Sequence, residues 1–180
     1  MKKFFTFVWE VAKIIIIAAV IVIPIRYFLF QPFFVRGQSM DPNFENGDYL
    51  IVDEITYRFK TPQRGEVIVF KSPQNSSQRF IKRIIGLPGE TIEIRDGEII
   101  IHKDGQYQVL DESNYLSDLL TEGNIQITLA QDEYFVLGDN RPFSFDSRRF
   151  GVLSEENIIG RVIFRAWPFV DATKFEAPIY

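Results

Sequence analysis

A serine in Gly37-Gln38-Ser39-Met40-Asp41-Pro42 and a lysine in Lys82-Arg83-Ile84-Ile85-Gly86-Leu87-Pro88-Gly89 are the groups in this 180-residue chain that invite nucleophilic chemistry. A lysine stripped of water is one of the few bases other than histidine able to take a proton from a serine hydroxyl. The chain holds a single histidine, His102, and no cysteine. That excludes a cysteine nucleophile, a zinc–thiolate site and a disulfide framework. No zinc-ligand cluster is recognisable, and neither a metal nor a cofactor is expected. If the chain is a hydrolase, Ser39 and Lys82 are its natural pair.

Each residue also has a plainer reading. Ser39 stands just before Asp41-Pro42, where a serine commonly stabilises a turn. Lys82 lies in Phe80-Ile81-Lys82-Arg83-Ile84-Ile85, and strand alternation groups it with Phe80 and Ile84 while Arg83 joins Ile81 and Ile85. At least one cation must therefore lie on a largely apolar face. An edge strand whose lysine reaches back to water would satisfy the same pattern. For Lys82 to act as a base, burial must lower its pKa by about two to three units. Nearby cations such as Arg83 would push the same way, whereas a directly paired acid would oppose it.

A third polar string, residues 138–152, reads Gly138-Asp139-Asn140-Arg141-Pro142-Phe143-Ser144-Phe145-Asp146-Ser147-Arg148-Arg149-Phe150-Gly151-Val152. It is either a solvated loop held by Asp/Arg pairs or a brace for a buried site. Asp146 with Arg148, and Ser144 with a neutral amine, are the pairings that suit a brace.

These groups need elements to hold them. Residues 14–30 read IIIIAAVIVIPIRYFLF with Arg26 as the only charge. Extended back through Val8, Trp9 and Val11, the segment is long enough at about 1.5 Å per residue to cross a bilayer, and Arg26 could snorkel. Lys2, Lys3 and Lys13 precede it, against Arg26 and Arg36 beyond, which favours a cytoplasmic N-terminus. The aromatic run that follows is unlike a cleavage site, so the segment reads as one N-terminal transmembrane helix rather than a cleaved leader. The expected division is 1–31 as cytoplasmic terminus plus anchor and 32–180 as an extracytoplasmic domain.

Beyond the anchor the pattern changes to short apolar runs punctuated by Gly and Pro. Residues 49–52, 66–70, 80–85, 91–94, 99–101, 125–129, 134–137 and 161–164 read as strands. Asp96-Gly97 between two of them signals a hairpin. The fold expected is mainly β, an antiparallel sheet or barrel with no substantial helix of its own. Residues 103–123 are more polar, suggesting a surface excursion or a small helix near 114–120. The net charge of −4 comes with acids and bases interspersed, so no basic patch points to nucleic acid.

Taken together, the strings resemble the bacterial-type (type I) signal peptidases, membrane-anchored Ser/Lys endopeptidases. Ser39-Met40-Asp41-Pro42 resembles the family's serine box, Arg64-Gly65-Glu66-Val67-Ile68-Val69-Phe70 its strand box, residues 82–90 its lysine box, and residues 138–152 its final box. The resemblance implies that Ser39 is the nucleophile and Lys82 the general base. It further implies that Ser144 orients Lys82, Asp146 and Arg148 form a bracing ion pair, Asp139 and Arg141 support the loop, and Met40 shapes the substrate cleft. The backbone N–H of Ser39 would face the oxyanion. The implied reaction is cleavage after the signal peptide of secretory preproteins at the outer face of the cytoplasmic membrane. Small side chains are expected at the first and third positions before the cut. The lipid bilayer is an implied partner, as is association with the secretion machinery.

Three positions depart from the family pattern. Gly37 stands where many members carry a serine that completes the oxyanion hole, as it does in many Gram-positive members. Asn43 replaces a threonine, and Glu90 an aspartate. The rival readings are a silent membrane-tethered relative, against which both Ser39 and Lys82 speak, and a self-cleaving Ser/Lys repressor, against which the anchor speaks.

Overall fold

The structure, a computed structural model, describes residues 2–28, 30–116, 120–178 and 180. Helix α1 (Lys2–Phe28) is followed at once by strand β1 (Phe30–Phe34). The remaining strands are β2 (Tyr49–Asp53), β3 (Val67–Lys71), β4 (Arg79–Gly86), β5 (Thr91–Arg95), β6 (Glu98–Lys103), β7 (Gln106–Val109), β8 (Ile125–Thr128), β9 (Glu133–Leu137), β10 (Leu153–Ser154), β11 (Ile158–Trp167) and β12 (Thr173–Lys174). A single helical turn, α2 (Ser147–Phe150), lies in the polar string.

The strands form two antiparallel sheets. The larger runs β1-β2-β11-β3-β4-β9-β10 with β12 on β11, and the smaller runs β7-β6-β5-β8. The mainly β, antiparallel expectation therefore holds. All eight expected strands are present; β1, β10 and β12 extend the larger sheet and β7 the smaller one, and sequence reading left these four out.

Turn chemistry accounts for the smaller sheet. Asp96 and Gly97 take φ of 53° and 86°, both positive, as a two-residue type I′ hairpin turn requires. Asp104 and Gly105 repeat the device at 51° and 76° and join β6 to β7. The first part of the expected excursion at 103–123 is therefore a hairpin. Residues 113–115 form a turn, and residues 117–119, inside the stretch read as a small helix, lie outside the described residues.

Strand β4 decides the fate of Lys82. It pairs with β3 on one side, Ile68 opposite Lys82, and with β9 on the other, Ile84 opposite Val136. It is thus an interior strand, and the edge-strand reading of Lys82 fails. Its apolar residues feed three clusters: Ile81 packs with Val52, Val67 and Val69, Ile84 with Ile68, Phe70 and Val136, and Ile85 with Ile92, Phe135 and Leu137.

For helix α1 the expectation holds in part, since the N-terminal helix is formed. Among the described residues no helix is long and apolar enough to cross a membrane. The backward extension through Val8, Trp9 and Val11 takes in Glu10 and Lys13, which form an exposed ion pair at 2.7 Å one turn apart. A charged pair within the span is costly in hydrocarbon. The snorkelling proposed for the Arg26 side chain lies outside the described residues.

Candidate active site

Ser39 is positioned by its backbone. The chain leaves β1, and Gly37 turns at a φ of 91°, with its N–H donating to Asn46 Oδ1 at 3.0 Å. Asn140 then holds the serine segment from the polar string. Its side-chain amide donates to Gln38 O at 2.9 Å and its backbone N–H to Ser39 O at 3.1 Å.

Lys82 arrives from β4. Its Nζ donates to Ser39 Oγ at 2.6 Å and to Ile81 O at 2.8 Å, and it lies 5.8 Å from the Phe80 ring centroid. The residue is only 3% exposed. Burial pulls its pKa down from 10.5 to about 8, while the more distant charges of Asp146 and Asp139 pull weakly the other way. The expected fall is present, but its cause is loss of water rather than repulsion by Arg83.

Arg83 has another role. Its side chain leaves β4 toward different partners, donating to Asp139 Oδ1 at 2.9 Å, Asp139 Oδ2 at 2.6 Å and Gly65 O at 2.9 Å, and stacking 4.0 Å from the Tyr115 ring centroid. Asp139 also accepts from Asn43 Nδ2 at 2.9 Å. Asn43 therefore keeps hydrogen-bonding chemistry at its position.

Asp146 is fully buried and multiply held. Arg148 donates to it from Nε and Nη2, both at 2.9 Å, and Gly138 N–H donates at 3.1 Å. Asp146 also caps α2 by accepting from Arg148 N. The Asp146–Arg148 ion pair is thus formed. Arg141 pairs with Glu112 at 2.5 Å and 2.8 Å, touches Thr121 Oγ1, and donates to Gly138 O at 3.0 Å. Both aspartates of the string are therefore occupied by arginines, and no carboxylate among the described residues pairs with Lys82.

Two expected positions differ in detail. Ser144 is buried, yet its Oγ has no hydrogen-bond partner; Lys82 Nζ is directed instead at Ser39 Oγ and Ile81 O. Ser144 does meet Ser39 at Gly138, where an added Cβ would stand 2.2 Å from Ser144 Oγ and 2.3 Å from Ser39 O. Met40 is 1% exposed and packs with Val35, Phe44 and Leu50. It supports the serine from the core rather than lining the cleft, because its apolar thioether is better accommodated there.

Ser39 and Lys82 open onto a groove of about 270 Å³. Phe33, Phe80 and Ile81 form its apolar wall, and Arg36 and Arg79 stand on it as well. His102 is remote from this chemistry, hydrogen-bonded to Glu93 at 2.8 Å on the smaller sheet. Sequence reasoning missed Glu112, Arg83 as the partner of Asp139, and the clamp by Asn140. Only Asn140 left a signal, as part of the polar string.

A serine hydroxyl beside a dehydrated amine, in an apolar groove, can attack a carbonyl and be relieved of its proton. The chain is also similar to known proteins. A family model described as signal peptidase, peptidase S26, matches residues 8–167. A probable signal peptidase I-1 of Synechocystis sp. is 35% identical over 169 residues, covering 90% of this chain and 84% of its own length. A signal peptidase I of Leptolyngbya laminosa is 39% identical over 166 residues, covering 88% and 79%. A signal peptidase IB of Staphylococcus aureus is 32% identical over 170 residues, covering 86% and 87%.

Proposed function

The chain belongs to the signal peptidase family, peptidase S26, and on that premise we propose that Ser39 is its nucleophile and Lys82 its general base. Membership makes it a membrane-associated serine endopeptidase of the signal peptidase I type, acting on preproteins that bear signal peptides. The observation that carries the assignment of the pair is the 2.6 Å contact between Ser39 Oγ and a lysine amine stripped of water.

The reaction runs as follows. Ser39 Oγ attacks the carbonyl carbon of the scissile bond as its proton passes to the neutral Lys82 Nζ. The oxyanion is met by the backbone N–H of Ser39. Lys82 then gives its proton to the leaving amine, and the C–N bond breaks, freeing the mature N-terminus. A water, deprotonated by Lys82, attacks the acyl-enzyme ester. Breaking the C–Oγ bond returns the proton to Ser39 and releases the signal peptide as a carboxylate.

The remaining residues hold this geometry. Asp146 with Arg148 and Asp139 with Arg83 fix the ends of the polar string, and Arg141 ties it to Glu112. Ser144 fills the space between Gly138 and the dyad, where its free hydroxyl is available to the Lys82 amine once substrate takes up Ser39 Oγ. Small substrate side chains suit the shallow apolar wall of Phe33, Phe80 and Ile81.

Residues 1–31 provide attachment and residues 32–180 catalysis. The support for α1 as a single membrane anchor is its exposed apolar surface, including Ile14, Ile15, Ile16, Ile17, Val20 and Val22, which calls for a lipid cover. Exposed Phe34, Trp167 and Phe169 suit the bilayer interface. The N-terminus is placed in the cytoplasm and the catalytic domain at the outer face, where the secretion machinery delivers preproteins. Confinement to one surface raises the effective concentration of enzyme and substrate.

The test is cleavage of a preprotein by the detergent-solubilised protein beside Ser39→Ala and Lys82→Ala. Both variants are expected to lose at least about a thousandfold in rate. Cleavage by either at the parent rate would refute the dyad.

A further inference from the structure

The groove at Ser39 carries more positive charge than hydrolysis needs. Arg36 stands three positions before Ser39, and Arg79 three positions before Lys82. Both are exposed and both line the groove, whose lining contains no carboxylate. Neither forms an ion pair among the described residues. The acid that acts on Arg79 through space is Glu54, which Arg58 also faces, and Glu54 is bonded to neither. The acids that act on Lys82 through space are committed, Asp146 to Arg148 and Asp139 to Arg83.

We infer that Arg36 and Arg79 are specificity-determining residues, favouring preproteins that carry a carboxylate within the four residues before the scissile bond. The inference rests on the Ser39–Lys82 reading above. An extended substrate advances about 3.3 Å per residue and turns alternate side chains to opposite faces. The groove that such a segment enters at Ser39 is lined by both exposed arginines. The side before the cut follows from β1, which leaves α1 directly and leads into the Arg36 segment. The substrate's signal segment is likewise its membrane-proximal part. A guanidinium matches a carboxylate through a two-pronged hydrogen-bonding fork, and two of them flanking one groove add to each other.

The experiment uses the full-length protein in micelles and internally quenched peptides that differ only in Glu, Gln or Lys at the second or the fourth position before the cut. Values of kcat/KM are measured at about 50 mM and about 1 M salt, the latter shrinking the screening length to about 3 Å. Glu is expected to exceed Gln by about two- to fivefold at one or both positions, with Lys below Gln, as befits solvent-exposed pairs. The ratio should approach one at high salt. It should vanish in the R36Q/R79Q variant, persist in R36K/R79K and invert in R36E/R79E. Each ratio is taken within one variant, so a general loss of activity does not imitate the effect. A Glu/Gln ratio of one at both positions, a ratio unchanged in R36Q/R79Q, or an acid preference confined to residues after the cut overturns the inference. Failure to cut any of the peptides, or their cleavage by Ser39→Ala at the parent rate, refutes the dyad reading itself and takes this inference with it.

Discussion

Lys82 Nζ lies 2.6 Å from Ser39 Oγ, although the two residues are 43 positions apart, Ser39 in the turn after β1 and Lys82 on the interior strand β4. The contact is made possible by what Lys82 lacks. The acids that act on it through space, Asp146 and Asp139, spend their oxygens on Arg148 and Arg83. Burial can therefore lower the amine's pKa to about 8 without a paired carboxylate to reverse it.

Activity should rise with pH along a single limb with an apparent pKa of about 8, because the neutral amine is the reactive form. A pH profile of kcat/KM checks this. A flat profile from pH 6 to 9 would exclude Lys82 as the base.

The same burial costs stability. Between pH 8 and 10.5 the unfolded chain binds more protons at this lysine than the folded one, so stability rises with pH across that window. Below it the penalty is complete, on the order of 3 kcal/mol, less the hydrogen bonds to Ser39 Oγ and Ile81 O. Lys82→Met should therefore be inactive but melt higher than the parent at pH 7. The difference should shrink as pH approaches 10.5, which thermal denaturation at several pH values will show.

Asp146→Asn gives a prediction of opposite sense to simple damage. Asp146 raises the pKa of Lys82, so its neutralisation should move the midpoint of the pH–activity limb below 8. The maximal rate should fall as the hold on Arg148 and Gly138 loosens. A lowered rate with an unmoved midpoint would show that Asp146 acts through geometry alone.

Gly138→Ala should be among the most damaging substitutions outside the dyad. The new methyl would stand 2.2 Å from Ser144 Oγ and 2.3 Å from Ser39 O, and the latter is backbone that cannot rotate away. An activity loss of roughly a hundredfold is expected, since small misplacements of reacting groups are expensive. Comparing kcat/KM with thermal stability separates this displacement from unfolding.

Much of the molecule was legible in the sequence, for reasons that particular residues make plain. The strands around Ile68, Ile84, Ile94 and Val136 announced themselves through apolar content, and Asp96-Gly97 through its turn chemistry. Asp104-Gly105 offered the same turn, yet β7 went unread because its Gln-Tyr-Gln-Val alternation is only four residues long and all four are exposed. Strand β1 was hidden by its aromatic residues, which suit a membrane boundary as well as a sheet. Ser39 and Lys82 could be named but not joined, since nothing periodic links them. The partnerships of Arg83 with Asp139 and Arg141 with Glu112 span 56 and 29 positions and depend on the tertiary fold.

Lys82 and Arg83 are neighbours in sequence that leave β4 for separate surroundings, one toward Ser39 and the other toward Asp139 and Tyr115. A one-residue shift of a strand exchanges its two faces. The dipeptide therefore has a reading direction: a guanidinium cannot surrender its proton, and an ammonium cannot fork onto Asp139. Exchanging the pair in a K82R/R83K variant preserves composition, charge and strand propensity. It should nevertheless abolish peptide cleavage while leaving far-ultraviolet circular dichroism characteristic of β-structure.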